Sequence, residues 1–212
     1  LNSIKMIASG IVYAHKQGKK RAVGEIITNI EEVSRQADRI NSIVSHLRSF
    51  VRKGENRMEK CDINIAAMQA MGVVGKQLAS HGVKLETRLA KSLPPVMANI
   101  TSLEEIIINL LVNAMQAMDS VAAKEKRIVL RTYEDDGVVL GVSDNGPGIS
   151  AETGAKMFEP FYSTKREGDN LGLGLAIVHT LVTSYNGTIS YESDGRNGAT
   201  FFVKFPAVEN KE

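Results

Sequence analysis

A single cysteine, Cys61, occurs in 212 residues. An internal disulfide is therefore excluded, and there is no cysteine cluster to ligate a metal. The lone thiol reads as a small buried apolar residue. No apolar run approaches the ~20 residues that a membrane-spanning helix needs. Residues 1–20 have neither the long apolar core nor the cleavage signature of a signal peptide. Neither sign of charge dominates: 26 basic and 24 acidic residues leave a net +2. Such a balance gives no general attraction to nucleic acid or to an acidic membrane surface. What is present is ordinary for a globular protein, 43% hydrophobic and 24% charged residues. The length suits one domain of about 150 residues with a smaller element beside it. The chain starts at Leu1 rather than at a methionine, so a fragment is expected, and membrane anchoring of the longer parent is left open.

Two segments differ in character. From Ile26 to Val51 the apolar residues are Ile26, Ile30, Val33, Ala37, Ile40, Val44, Leu47 and Val51. Their spacing alternates between four and three, a heptad rhythm held for more than three heptads. Glu31, Glu32, Arg35, Asp38, Arg39 and Arg48 fill the other faces. Upstream, Leu1, Ile4, Ala8 and Ile11 repeat the spacing and predict the end of a first helix. Lys16 to Gly24 is polar with two glycines and predicts the loop of a helical hairpin. A lone helix cannot bury such a stripe. Two antiparallel helices make half of a four-helix bundle, which a homodimer would complete. Packing of the hairpin against the rest of the chain is the alternative.

Arg52 to Lys60 reads as a charged linker, so residues 1–54 are expected to be the hairpin and residues 55–212 a second domain. Beyond the linker, Ile63 to Leu78 reads as a helix, Val83 to Leu89 as a strand, and Pro94-Pro95 breaks the chain. Leu103 to Met118 is a strong helical pattern. Arg127–Thr132 and Gly137–Ser143 predict two strands joined by a turn. Residues 144 to 174 are rich in Gly, Asp, Asn and Ser; Leu175–Ser184 is helical again, and strands Thr188–Glu192 and Ala199–Phe205 close the chain. Strands grouped with helices, without strict alternation, predict an α+β sandwich with its helices on one face.

Four short segments carry the chemistry. On the helix, Glu105, Asn109 and Asn113 are four apart and share one face. Amides there are costly unless satisfied, and they suit a cation or phosphate oxygens; a merely polar face is the alternative. Asp144-Asn-Gly146-Pro-Gly148-Ile149 follows a strand. An Asp at a strand end can accept from an exocyclic amine, and the glycines let a ligand approach the backbone; a simple turn is the alternative. Phe158-Glu-Pro-Phe-Tyr-Ser-Thr164-Lys165 places aromatics, hydroxyls and a lysine in a long segment of weak pattern, the style of a lid over a phosphate. Gly172-Leu173-Gly174-Leu175 opens a helix whose first N–H groups suit an anion.

Taken in order, N-x-x-x-N-A, D-x-G-x-G, F-x-P-F and G-L-G-L resemble the ATP-binding domain shared by histidine kinases, gyrase B, Hsp90 and MutL. FEPFYSTK and GLGLAI resemble the histidine kinases in particular, over about Ile26 to Pro206. No G-x-x-x-x-G-K-[ST] is present, so this is not a Walker site. The resemblance implies a Bergerat-type α/β sandwich, a mixed sheet under three helices, with ATP and Mg²⁺ as ligands. It implies that Asp144 binds the adenine amine with Thr200 beside it through ordered water, that Gly146 and Gly148 pass under the base, and that Ala117 and Ile149 are also among the nucleotide-binding residues. Asn109 and Asn113 would face the phosphates and Mg²⁺, without the sequence fixing which is the direct metal ligand. Thr164, Lys165, Gly172, Leu173, Gly174 and Leu175 would hold the phosphates and order the lid. Two positions depart from the pattern: Asn170 stands where some members have a first glycine, and Gln116 where some have a lysine.

The resemblance also implies a reaction and partners. The hydrolysing relatives carry a glutamate as water-activating base where this chain has Asn109. An amide is no base, whereas transfer to a neutral imidazole asks mainly for positioning and charge stabilisation. An ATP-dependent protein-histidine kinase is therefore expected, dimeric through the hairpin, fed by an upstream sensor domain and passing its phosphoryl group to a response regulator receiver domain. A cytoplasmic location is expected for this part. Leu1-Asn-Ser-Ile-Lys5 looks like the continuation of the family's phosphoacceptor box, which places the acceptor histidine upstream of Leu1. His15 reads as a seam or loop residue, His46 as a solvated helix residue, His81 as a turn residue and His179 as structural or exposed. A conformational ATPase of the wider superfamily, an anti-sigma serine kinase and a dimerisation module with a dead nucleotide site are the rival readings. Asn109, the hairpin and the intact Asp144 and glycine motifs respectively argue against them.

Overall fold

A computed structural model describes residues 2–18, 22–34, 36–37, 57–119, 125–164 and 172–208. The chain divides into two compact units, residues 1–55 and residues 56–164 with 172–212. In the first, α1 (Asn2–Lys16) is the expected helix. Half-buried Ile4, Ile7 and Ile11 and buried Ala14 recur every three or four positions, one stripe of a 3.6-residue period. The stripe runs through Ile7 and leaves Ala8 exposed, because the larger of the two neighbours gains more by burial. Residues 23–34 and 36–37 are also helical and half-bury Ile26, Val33 and Ala37. Ile30, expected on the same seam, remains 58% exposed within the single chain. Ile40, Val44, Leu47 and Val51 lie outside the described residues.

The second unit is a sheet covered by helices. Its strands are β2 (Val83–Arg88), β4 (Lys126–Glu134), β5 (Val138–Asp144), β6 (Thr188–Glu192) and β7 (Thr200–Phe205). They are ordered β2-β4-β5-β7-β6, with β2 parallel to β4 and every other pair antiparallel. A two-residue side-chain period turns Ile128 and Leu130, Val138, Leu140 and Val142, and Phe201, Val203 and Phe205 to the buried face. They join one core with the apolar faces of α2 (Ile63–Ser80), α3 (Ile100–Asp119) and α5 (Gly174–Ser184). This is the mixed α/β sandwich that the resemblance implies.

Local chemistry sets the helix ends. Asp62 caps α2, its Oδ1 accepting from the Asn64 N–H at 2.8 Å. Asn99 precedes α3 and accepts from Thr101 N–H at 3.0 Å and Ser102 N–H at 3.3 Å. Three short elements escape the sequence pattern. Strands β1 (Glu59–Cys61) and β3 (Val96–Ala98) form a separate antiparallel pair, to which Ala207 adds one bridge at Val96. Three residues are too few to show a period. Helix α4 (Ala151–Lys156), capped by Ser150, lies inside the glycine-rich stretch.

One buried polar ring ties this unit together. Thr132, 3% exposed, donates to Asn64 Oδ1 at 2.7 Å and accepts from the Ala90 N–H at 3.0 Å, while Asn64 Nδ2 donates to the Ala90 carbonyl at 2.9 Å. The start of α2, the chain after β2 and the middle of β4 are thereby joined. Thr132→Val keeps the shape and strands the Ala90 N–H; chemical denaturation is expected to show a loss of about 1–3 kcal/mol.

Candidate functional site

The amide pair is built by α3. Asn109 and Asn113 lie on its half-buried face, flanked by the fully buried Ile106, Leu110 and Ala114. Asn109 Nδ2 donates back to the Glu105 carbonyl at 2.9 Å, which turns Oδ1 outward from the helix. The opening of α5 sits against both amides: a Cβ at Gly174 would lie 3.2 Å from Asn109 Oδ1 and 3.5 Å from Asn113 Nδ2. Asn113 Nδ2 is buried and has no hydrogen-bond partner. A buried donor without a partner costs about 1–3 kcal/mol, so this atom is poised for a ligand acceptor.

The glycine motif leads directly into α5. Leu173 occupies the N-cap of α5 without a side-chain cap bond, leaving first-turn N–H groups to another acceptor. Leu173 and Leu175 pack partly buried against the core and fix the helix start. Gly172 is pressed against the Tyr162 carbonyl, and its own carbonyl accepts from the Phe161 N–H at 3.1 Å. The two ends of the intervening stretch are thus joined. Thr164 is exposed at the near end; Lys165 lies outside the described residues, as does Asn170.

The third wall is the end of β5. Asp144 is half-buried, and its Oδ1 accepts from the Gly146 N–H at 2.8 Å. Burial pushes its carboxyl above the ordinary carboxylate range, against the opposing pull of backbone hydrogen bonds at Gly146 and Ala199. Gly146 closes against α3, where an added Cβ would lie 3.3 Å from Met118 and 3.7 Å from the Ala117 backbone. Asn145 is engaged elsewhere, accepting from the Arg127 N–H and donating to the Glu125 carbonyl, each at 2.8 Å.

Thr200 lines the same open cleft as Asp144. It pairs in register with Ser143, and its Oγ1 donates to Ser143 Oγ at 2.9 Å. Side chains alternate along a strand, so Thr200 shares the Ser143 face, and it is buried Ala199 that shares the Asp144 face. The Asp144 backbone N–H donates to the Ala199 carbonyl at 2.9 Å.

The turn between β6 and β7 contributes residues that the sequence reading did not single out. An open cleft of about 590 Å³ runs from Asp144 and Thr200 along Tyr191, Asp194 and Asn197. The asparagines of α3 and the opening of α5 do not line it. Asp194 accepts from the Arg196 and Asn197 N–H groups at 2.8 Å and from Asn197 Nδ2 at 2.6 Å, and these bonds hold its carboxyl below the usual range. Ser193 fastens the turn to the Gly148-Ile149 loop. The S-D-G-R-N-G composition signals a turn, but not what the turn packs against.

Of the histidines, His15 is exposed in the last turn of α1. His81 ends α2, with Nδ1 2.8 Å from Asp119 Oδ2, and Lys126 Nζ donates to the same carboxylate at 2.6 Å. His179 is exposed on α5 with its ring 5.5 Å from that of Phe158. His46 lies outside the described residues. Among the described residues no helix is long and apolar enough to cross a membrane.

Comparison with known proteins shows the family of this fold. Residues 98–209 match the family described as histidine kinase-, DNA gyrase B- and HSP90-like ATPase. The sensor histidine kinase ZraS of Escherichia coli K12 is 31% identical over 211 residues, 97% of this chain and 42% of that protein. Full-length ShkA, crystallised in complex with AMPPNP, is similar in structure with a TM-score of 0.70 at 25% identity, covering 89% of this chain and 40% of that one. Histidine kinase ThkA, in complex with response regulator protein TrrA, gives a TM-score of 0.74 at 20% identity, over 100% of this chain and 59% of that one. The chain spans less than half the length of the curated relatives it matches. It belongs to the histidine kinase-, DNA gyrase B- and HSP90-like ATPase family, with an ATP-binding domain of the kind that sensor histidine kinases carry.

Proposed function

We propose that this chain is the dimerisation and phosphoryl-donating part of a sensor histidine kinase. The observation that carries the reading is the meeting of the Asn109–Asn113 face with the opening of α5. Adenine at Asp144 would leave the phosphates running toward the amides and the first turn of α5. The buried, partnerless Asn113 Nδ2 fits a phosphate oxygen; with the amide turned over, the same side chain offers a hard oxygen to Mg²⁺. Mg²⁺, when bound, supplies charge neutralisation between the phosphates. Asn109, tied to its own helix backbone, orients and is no base. That favours transfer to an imidazole over rapid hydrolysis.

The same reading assigns residues 1–54 to a dimerisation hairpin. Met6, Tyr13, Ile27 and Ile30 are all at least half exposed in the single chain, as expected of a bundle completed by a second copy. The phosphoryl acceptor is a histidine upstream of Leu1, and a response regulator receiver takes the group onward. The test is transfer from γ-labelled Mg·ATP to a version extended upstream through that histidine. Acid-labile, base-stable label on the protein is expected. Released phosphate with no labelled protein would favour the conformational ATPase and make Asn109 the misread residue.

A further inference from the structure

We infer that Ser193 is a positioning residue for base recognition, the fastener that holds the Gly148-Ile149 loop in its nucleotide-ready shape. The inference rests on the placement of adenine at Asp144. Ser193 Oγ accepts from the Ile149 N–H at 2.9 Å and from the Gly195 N–H at 3.2 Å, and donates to the Gly198 carbonyl at 2.7 Å. One hydroxyl thus uses its donor and both acceptor positions. It links three stretches: the loop after Asp144, the tip of the β6–β7 turn, and the start of β7.

The fit around this hydroxyl is close. Gly148 has φ +80, and a Cβ there would lie 2.6 Å from the Arg196 N, 2.7 Å from the Gly195 carbonyl carbon and 2.9 Å from Ser193 Oγ. The loop therefore rests directly on the turn. The turn in its own right is pre-formed by the Asp194 bonds to Arg196 and Asn197. Ser193 couples it by side chain to Ile149. Ser193 touches neither Asn109 nor Asn113 in any of these bonds, so its influence belongs to the base end of the site.

Discrimination between bases is the readout, because a general loss of folding would weaken all nucleotides alike. Calorimetric titration of the 212-residue chain with Mg·ATP and with Mg·GTP compares the unmutated protein, Ser193→Ala and Ser193→Thr. In Ser193→Ala, ATP affinity is expected to fall about tenfold while GTP affinity changes much less. Ser193→Thr, which keeps the hydroxyl, is expected to restore the ATP preference. Unchanged ATP binding in Ser193→Ala would overturn the inference, as would equal losses for both nucleotides with a lowered thermal midpoint. Asp144→Asn serves as the control: if it binds Mg·ATP normally, the placement of adenine has failed, and the role of Ser193 with it. If Asp144→Asn loses binding and Ser193→Ala does not, only the role of Ser193 has failed.

Discussion

Asp144→Asn is expected to weaken ATP binding by roughly 100-fold, the largest effect of any single substitution in this site. One carboxylate oxygen already accepts from the Gly146 N–H at 2.8 Å. If Asn145 to Gly148 keep their course, the amide oxygen of an asparagine stays with Gly146, and its NH₂ group then faces the ligand. A donor would meet the adenine amine, itself a donor. The loss combines a missing charge-assisted bond with a repulsive contact. Binding of Mg·ATP by calorimetry decides the matter, and an unchanged dissociation constant would show that the base lies elsewhere.

The same carboxyl sets a pH dependence. Burial raises its pKa in the nucleotide-free fold, with hydrogen bonds at Gly146 and Ala199 opposing. A raised carboxyl pKa means that ionisation is costlier folded than unfolded. Its contribution therefore lowers stability as pH climbs from the ordinary carboxylate range through the raised value, and is absent below that range. Nucleotide binding runs the other way, because the ionised carboxylate accepts from an amine through a charge-assisted bond that the neutral acid lacks. Affinity is expected to fall as pH drops through the raised pKa, beginning at higher pH than an ordinary aspartate would give. Asp144→Asn removes that limb of the profile.

Gly198→Ala is expected to cost roughly 2–4 kcal/mol of stability and to damage nucleotide binding with it. Gly198 has φ +90, a backbone conformation that alanine adopts only under strain. Its missing Cβ is occupied by the Asp144 carbonyl oxygen, a backbone atom that cannot rotate aside. The carbonyl of Gly198 is also the acceptor for Ser193 Oγ. Relief of the clash must therefore move β5 away from β7 at Asp144, or release the turn from the Ile149 loop. Thermal unfolding and ATP titration of the same variant are expected to deteriorate together. Full binding with normal stability would mean that the turn and β5 are not held as tightly as the contact implies.

Several features were legible because they are local. The sheet strands announced themselves by alternation, the helices by a repeat of three and four, and the glycine and asparagine motifs by their spacing. Asp144, Gly146, Gly148, Asn109, Asn113 and Gly174 were all named from residue type and order. Other features depended on which distant segments meet. The register that pairs Thr200 with Ser143 and puts Ala199 on the Asp144 face is a property of β5 against β7, separated by more than fifty residues. The ring of Thr132, Asn64 and Ala90 closes across 68 positions. Ser193, an ordinary turn serine in the sequence, gains its role from a loop 44 residues earlier. By itself the sequence determined the longer elements, the chemistry on offer and the family, since propensity, periodicity and motif spacing are written within a few neighbouring residues. Which side chains line the cleft beside Asp144, and which hydroxyl joins the turn to the Ile149 loop, only the tertiary structure decided, because strand register and loop contact are fixed by packing between segments far apart in the chain.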